Sequence, residues 1–450
     1  MVEEDLALEL LKILASSRPD FAEVFTQKAV FSTVSREASG EATFASESDD
    51  GISMYMESGG KSFFSALGPA PAETLRAEAR RLAEGQAGSQ AETREIGRAG
   101  ALRKRATPPG FGGWDVQSAI ERAADGALAS DPRVLGVSAI FKESLSDTLR
   151  LDSSGGRTVR QEHSWTAYVK ALARDGRGAR SGARIIAEDH EPTAEAVSDA
   201  AAEAGRAACL LLEARPAPAG EFPIVLAPQA AGLFLHETIG RALEGGLAAR
   251  GSSFLSGSHG RPVASPVLTI SQEPLRGGQY DDEGNPVEKQ LLVEDGALAR
   301  FIAGRKSGAL IDAPKASSAW RGSYRSLPSP LLRYMSVASK EASLQKMLAG
   351  MEFGFYAARI GGGSFDAESG SFRFPVSEGF VVREGAIAEP VEPMEISGSA
   401  PEALMLISEV GSKRESHPGV APRRREGIMV WDIAPAIAFG KMTLAPAGPI

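Results

Sequence analysis

Leu235-His236-Glu237-Thr238-Ile239-Gly240-Arg241-Ala242-Leu243-Glu244-Gly245-Gly246 is the stretch on which the reading of this chain turns. It follows an apolar run, Phe222 to Leu226, and carries one of only five histidines among 450 residues. Its apolar positions recur at helical spacing, which predicts a helix from 228 to 244. Where histidine and glutamate adjoin on a helix in zinc hydrolases, the histidine binds the metal and the glutamate acts as general base on a metal-bound water. The usual spacing sets a second histidine four residues on. Gly240 stands there, and the next histidine is His259. The pair alone is weak evidence, since a lone His-Glu on a helix is more often structural.

Toward the N-terminus the pattern alternates helices and strands. Leu6, Leu10, Ile13 and Leu14 predict a helix over 3–16, ended by Pro19. Short strands follow at 22–24, 30–34, 42–46, 52–55 and 62–66, separated by Ser39-Gly40, Asp49-Asp50-Gly51 and Gly59-Gly60. A helix from Pro71 to about Gly85 leads into a polar stretch, 89–113, read as a loop or linker and a possible sub-boundary. After a helix over 114–130, the segments 134–142, 149–153 and 157–175 form a β-meander, with a turn at Gly176–Gly182. An alanine-rich helix runs from Thr193 to about Glu213. This order is α+β. Arg215-Pro216-Ala217-Pro218-Ala219-Gly220 marks the best boundary, giving an N-terminal α+β region, 1–215, and a β-rich C-terminal domain, 221–450, that carries the motif helix.

Composition sets limits on function. Apolar content of 43% and charged content of 24% are those of a globular protein. A net charge of −9 argues against a nucleic-acid backbone as ligand, which calls for a basic field. The runs Arg103-Lys104-Arg105 and Arg423-Arg424-Arg425 read as solvated loops. The single cysteine, Cys209, forms no internal disulfide and reads as a small buried residue. The acidic start, Met1-Val2-Glu3-Glu4-Asp5, is unlike a signal peptide, and no apolar run reaches the ~20 residues of a membrane span. These features predict a cytoplasmic protein that binds neither membrane nor nucleic acid.

Toward the C-terminus a series of short motifs appears in order. They are Gly251-Ser252-Ser253-Phe254-Leu255-Ser256-Gly257, Tyr280-Asp281-Asp282-Glu283-Gly284, Val293-Glu294-Asp295-Gly296, Trp320-Arg321-Gly322-Ser323-Tyr324-Arg325, Gly361-Gly362-Gly363-Ser364-Phe365-Asp366, Phe374-Pro375-Val376-Ser377-Glu378-Gly379 and Pro418-Gly419-Val420. Together with 235–246 they resemble, collinearly, the C-terminal domain of the TldD/PmbA family of metallopeptidases, and more closely its TldD-type chains. Asp50-Gly51-Ile52-Ser53 and Leu151-Asp152-Ser153-Ser154-Gly155 resemble β-turns of that family's N-terminal domains. The resemblance implies a peptidase acting on unfolded peptides. These are held extended in a tunnel by backbone strand pairing, which gives little sequence preference. It implies dimers, either of one chain or of a metal-bearing with a metal-free chain, and zinc as the cofactor.

In the family's pattern zinc takes two histidines spaced five apart and a cysteine near the C-terminus. His236 matches the first ligand and Glu237 the base. The second ligand falls on Arg241, and counting from Pro418-Gly419-Val420 puts the cysteine on Arg423. A guanidinium does not coordinate zinc and brings positive charge to a dication's place. Five residues turn an ideal helix by about 500°, leaving such ligands ~140° apart, so the helix must distort, and Gly240 is a place for it. Spacing sets Glu237, Arg241 and Glu244 on one helical face, predicting an ion-pair cluster, joined by Arg423, in the former metal cavity. The first expectation is therefore a family member with a degenerate zinc site, acting as a non-catalytic subunit or peptide-binding pseudoenzyme. The alternatives are an active zinc peptidase with a rearranged set such as His236, His417 and Glu244, with His259 as a further candidate and His163 and His190 read as surface or hydrogen-bonding residues, and a structural dimerisation module without a peptide channel.

Overall fold

The computed structural model describes residues 3–37, 42–85, 95–96, 116–188, 192–274, 280–312, 314–423 and 426–447, with the backbone alone at 95, 96, 116, 117, 315, 422, 423 and 426. The described residues build two large sheets in succession, besides two small two-stranded ones. The first half is α1 (Glu4–Ala15), β1 (Phe21–Arg36), β2 (Thr43–Ser48), β3 (Gly51–Ser58), β4 (Lys61–Leu67), α2 (Ala72–Ala83), β5 (Glu95–Ile96), α3 (Val116–Ser130), β6 (Val134–Asp152), β7 (Arg157–Asp175), β8 (Gly178–Glu188) and α4 (Ala194–Glu213). Its strands form one eight-stranded sheet in the order β5-β4-β3-β1-β6-β7-β8, with β2 also on β1. The strands are longer than local turn signals predict. The segments 22–24 and 30–34 belong to one strand, and so do 134–142 and 149–153. The Gly176–Gly182 stretch is a turn only at its start, with β8 beginning at Gly178. Polar residues do not stop a strand whose neighbours supply a continuous hydrogen-bonded ladder, as β1 and β7 do on the two sides of β6.

The helices bind the sheet through apolar stripes. Leu10 and Leu14 of α1 meet Leu75 and Leu82 of α2 in one cluster, with Val24, Met54 and Leu149 of the sheet. In α4, Val197, Ala201, Ala204, Ala208 and Leu212 recur on one face and are buried with α3 against β6 and β7. Thr193 caps that helix, accepting a hydrogen bond from the Ala196 N–H at 3.1 Å. Cys209 is buried there.

The second half opens with β9 (Gly220–Leu226) and α5 (Pro228–Leu235). Four later strands matter most: β10 (Phe353–Ile360), β11 (Ser371–Arg383), β12 (Met394–Ser399) and β14 (Glu426–Pro446), the last forming a long hairpin with β13 (Ile407–Arg423). Pairing runs β9-β10-β11-β12-β14, and β14 then returns to β9, so these five strands close into a ring. Closure removes free strand edges. Phe234 of α5 is fully buried against Phe372, Phe374 and Phe439, ring centroids 5.1–5.9 Å apart in edge-to-face arrangements.

A buried ionic seam joins the halves. Glu23 accepts from both Arg150 and Arg321 at 2.7 Å. Asp282 pairs with Arg160 at 2.5 Å and accepts the Arg321 N–H at 2.7 Å. Arg333 reaches Glu162 at 2.7 Å, and Arg325 reaches Asp49 at 2.5 Å. The Tyr324 N–H donates to Gln27 at 2.9 Å, and its ring lies where a Cβ on Gly51 would stand, within 2.2 Å. The motif loops at 280–284 and 320–325 are thus the clasp between the sheets.

Candidate functional site

The predicted helix 228–244 is interrupted. α5 ends at Leu235, and His236–Gly240 is one π-helical turn. A π-turn bonds residue i+5 back to residue i, and here the Arg241 N–H returns to the His236 carbonyl. Positions 236 and 241 therefore stand one above the other, where an unbroken α-helix would splay them. The distortion demanded by a five-residue spacing is present, and it spans the whole turn rather than Gly240 alone. Thr238 supports it, its hydroxyl donating to the Phe234 carbonyl at 2.6 Å.

His236 is buried, and its Nδ1 lies 2.8 Å from Oδ1 of Asp432, itself buried on β14. Gly232 makes the meeting feasible. It lies one helical turn before His236, and a Cβ there would stand 3.0 Å from the Asp432 Cβ. Burial disfavours the imidazolium, but the Asp432 carboxylate, helped by Glu237 and Glu244, outweighs it and holds the His236 pKa above its ordinary value. Asp432 is the site residue that motif reasoning missed. Its signal is a single acid within the apolar run Ile428 to Phe439.

Arg241 takes the second-ligand position. Its Nη1 donates to Glu237 Oε2 at 3.2 Å, and its side chain is 41% exposed. Glu244 has already left the helix, with an extended backbone (φ −64°, ψ 112°). Arg423 ends β13 at the hairpin tip, opposite Glu426, and its side chain lies outside the described residues. His417 faces Asp432 across the hairpin. Burial, together with Arg359, pulls its pKa below the ordinary value against Glu415 and Asp432. His259 is exposed on a glycine-flanked turn, and His163 belongs to the first sheet, 2.8 Å from Glu143. His190 and the 103–105 run lie outside the described residues.

Catalytic zinc takes about three protein donors and keeps one open position. Among the described residues, no group of three or more His, Cys, Asp or Glu side chains is arranged to hold a metal. The candidate base Glu237 is bound to the Arg241 guanidinium at 3.2 Å, and a guanidinium does not coordinate zinc. The donor set described does not fit a catalytic zinc ion. A buried His-Asp pair beside a Glu-Arg pair can hold two elements together and fix a proton on an imidazole.

Residues 219–446 match the family model of the PmbA/TldA metallopeptidase C-terminal domain. Similar proteins include a "Metalloprotease TldD homolog" of Buchnera aphidicola, 28% identical over 352 residues, covering 74% of this chain and 73% of that one. Another of the same name, from Haemophilus influenzae, is 33% identical over 251 residues, 54% of this chain and 52% of its own. A "Zinc metalloprotease TldD homolog" of Saccharolobus solfataricus is 28% identical over 230 residues, 50% of this chain and 51% of its own. The last two matches thus span about half of each relative's length. The crystal structure of TldE from Thermococcus kodakarensis superposes with a TM-score of 0.77 at 17% identity, covering 98% of this chain and all of that one. That likeness extends the shared fold over the first half as well.

Proposed function

The chain belongs to the TldD/PmbA family of metallopeptidases, and from that premise we propose that it handles unfolded peptides as a member whose own zinc site is degenerate. It acts as a non-catalytic subunit or a peptide-binding pseudoenzyme, as a homodimer or beside another TldD/PmbA-type chain. The observation that carries this reading is the π-turn. It aligns position 241 with His236, as a shared metal would require, and the side chain so placed is a guanidinium bound to Glu237. The α+β fold and the metallopeptidase kinship stand independently of this proposal. No helix among the described residues is long and apolar enough to cross a membrane, which accords with a cytoplasmic location.

A second reading keeps activity through a rearranged ligand set. It is favoured by one observation: His236 and His417 both face Asp432. Elemental analysis of the purified protein separates the two, with His236→Ala as control. The degenerate site predicts no stoichiometric zinc after loading and dialysis. About one zinc per chain, lost in the variant, would establish the second reading and direct a search for peptidase activity. Anisotropy of a labelled unstructured peptide then tests peptide handling itself.

A further inference from the structure

A cavity of about 380 Å³ lies between the two large sheets, and His236, Glu237 and Arg241 are not among its walls. Such a volume falls at the lower end of the ~300–1,000 Å³ usual for small-ligand sites. Three arginines reach its lining, Arg160 from β7 and Arg321 and Arg333 from the second half. Among the described residues, Glu162 is the one carboxylate that lines it. Burial pushes the Glu162 pKa up, but Arg333 and Arg160 outweigh that and hold it at about 2. This acid is therefore ionised at neutral pH and already committed to two cations. The other acids that these arginines meet stand behind the wall. Glu23 is shared between Arg321 and Arg150. Asp282 takes Arg160 at 2.5 Å and the Arg321 backbone N–H at 2.7 Å, which draws the two arginines to one place.

Donors exceed acceptors there. A guanidinium carries five N–H groups in one plane and accepts nothing. Arg160 Nε, 3.6 Å from Glu162, is buried without a hydrogen-bond partner among the described residues, and so are Nε and Nη1 of Arg321. Aromatic faces hold the planes. Arg321 lies over Phe25 at 4.0 Å, and Trp320 lies between Arg160 and Arg333 at 5.2 and 4.7 Å. A ring face steadies a cation but leaves its in-plane N–H groups unmatched. Buried donors of this kind are rare, because each carries the cost of its lost water. An oxyanion answers several at once, its oxygens accepting charge-assisted bonds. The donors are covered by neighbouring atoms, so an anion reaches them with a small swing of the long side chains. On the floor, register sets Thr148 opposite Arg160 and Ser146 opposite Glu162. Residues two apart on a strand share a face, so the Ser146 hydroxyl stands beside the arginines as a further donor.

We propose that this cavity binds a small oxyanion, a carboxylate or a phosphate, held by Arg160 and Arg321 with Arg333 and the Ser146 hydroxyl beside them. The site stands apart from the His236 turn and does not rest on the peptide-handling reading.

The test is isothermal titration calorimetry of the full chain with inorganic phosphate and, separately, with succinate. Chloride keeps the ionic strength constant, so that screening is the same throughout. A saturable site of millimolar affinity or tighter is expected for at least one anion. Binding of phosphate alone assigns the site to phosphates, binding of succinate alone assigns it to carboxylates, and binding of both supports the shared chemistry. Arg160→Gln, which removes one cation, and Ser146→Glu, which sets a carboxylate on the floor beside the arginines, are each expected to weaken binding about tenfold or more. Arg383→Gln, at an exposed pair with Glu389 outside the cavity, is expected to leave it unchanged. Ser146 is half-buried and outside the ionic seam, so its variant decides the matter where Arg160→Gln fails to fold. Absence of saturable binding of either anion up to about 10 mM overturns the inference. So does undiminished affinity in folded Ser146→Glu protein, or an equal loss in Arg383→Gln.

Discussion

The His236–Arg241 turn and the Glu23–Arg321 seam both set arginines against carboxylates, yet they are built differently. At the seam, the Arg321 side chain is 1% exposed and meets Glu23 at 2.7 Å, while Asp282 takes its backbone N–H. At the turn, Arg241 is 41% exposed and meets the Glu237 carboxylate at 3.2 Å. A buried pair is costly to break because the abandoned charge stays in a low dielectric. An exposed pair is screened by water and counts for little. Stability should therefore depend on the seam, and the turn should tolerate change.

The largest expected effect is at Arg321. Replacing it by alanine leaves Glu23 buried beside Arg150 alone, with a loss of about 3–5 kcal/mol, read as a drop in the denaturation midpoint. A loss below about 1 kcal/mol would put the two regions on a par. Next comes Gly51→Ala, whose new Cβ would overlap the Tyr324 ring. Overpacking of this kind costs about 1–3 kcal/mol, so the denaturant midpoint should fall without a change in slope.

The seam should also respond to pH through Glu283, which accepts the Arg305 N–H at 2.5 Å. Burial pushes its pKa up to about 7 from an ordinary 4.5. The folded state then binds more protons than the unfolded state between those values, so this group's contribution to stability declines as pH rises from about 4.5 to about 7. In Glu283→Gln that decline should be absent from midpoints measured across the window, and an unchanged profile would show that the group does not titrate there. The smallest effect is reserved for the turn. Arg241→Ala should cost about 0–1 kcal/mol, and a melting curve displaced further would mean that the cation holds the site shut.

Much of this was legible beforehand because it is local. Leu10 and Leu14, the Thr193 cap and the glycine turns give helix and strand positions, and the motif series from Gly251 to Val420 gives the family in order. The five-residue spacing of the family's two helix ligands, which falls on His236 and Arg241, also pointed to a distorted helix there. The continuous strands β1 and β6 were less legible, because a neighbouring ladder carries them through polar residues.

By itself, then, the sequence determined which segments are helix or strand, which family's motifs they bear, and that a cation stands where a ligand is expected. Only the tertiary structure decided that β14 closes on β9, that His236 meets Asp432 across 196 residues, and that Arg321 meets Glu23 across 298. The reason is physical. Periodicity and turn chemistry act over a few residues along the chain, whereas these meetings depend on how two sheets twist, close and pack, which no local pattern encodes.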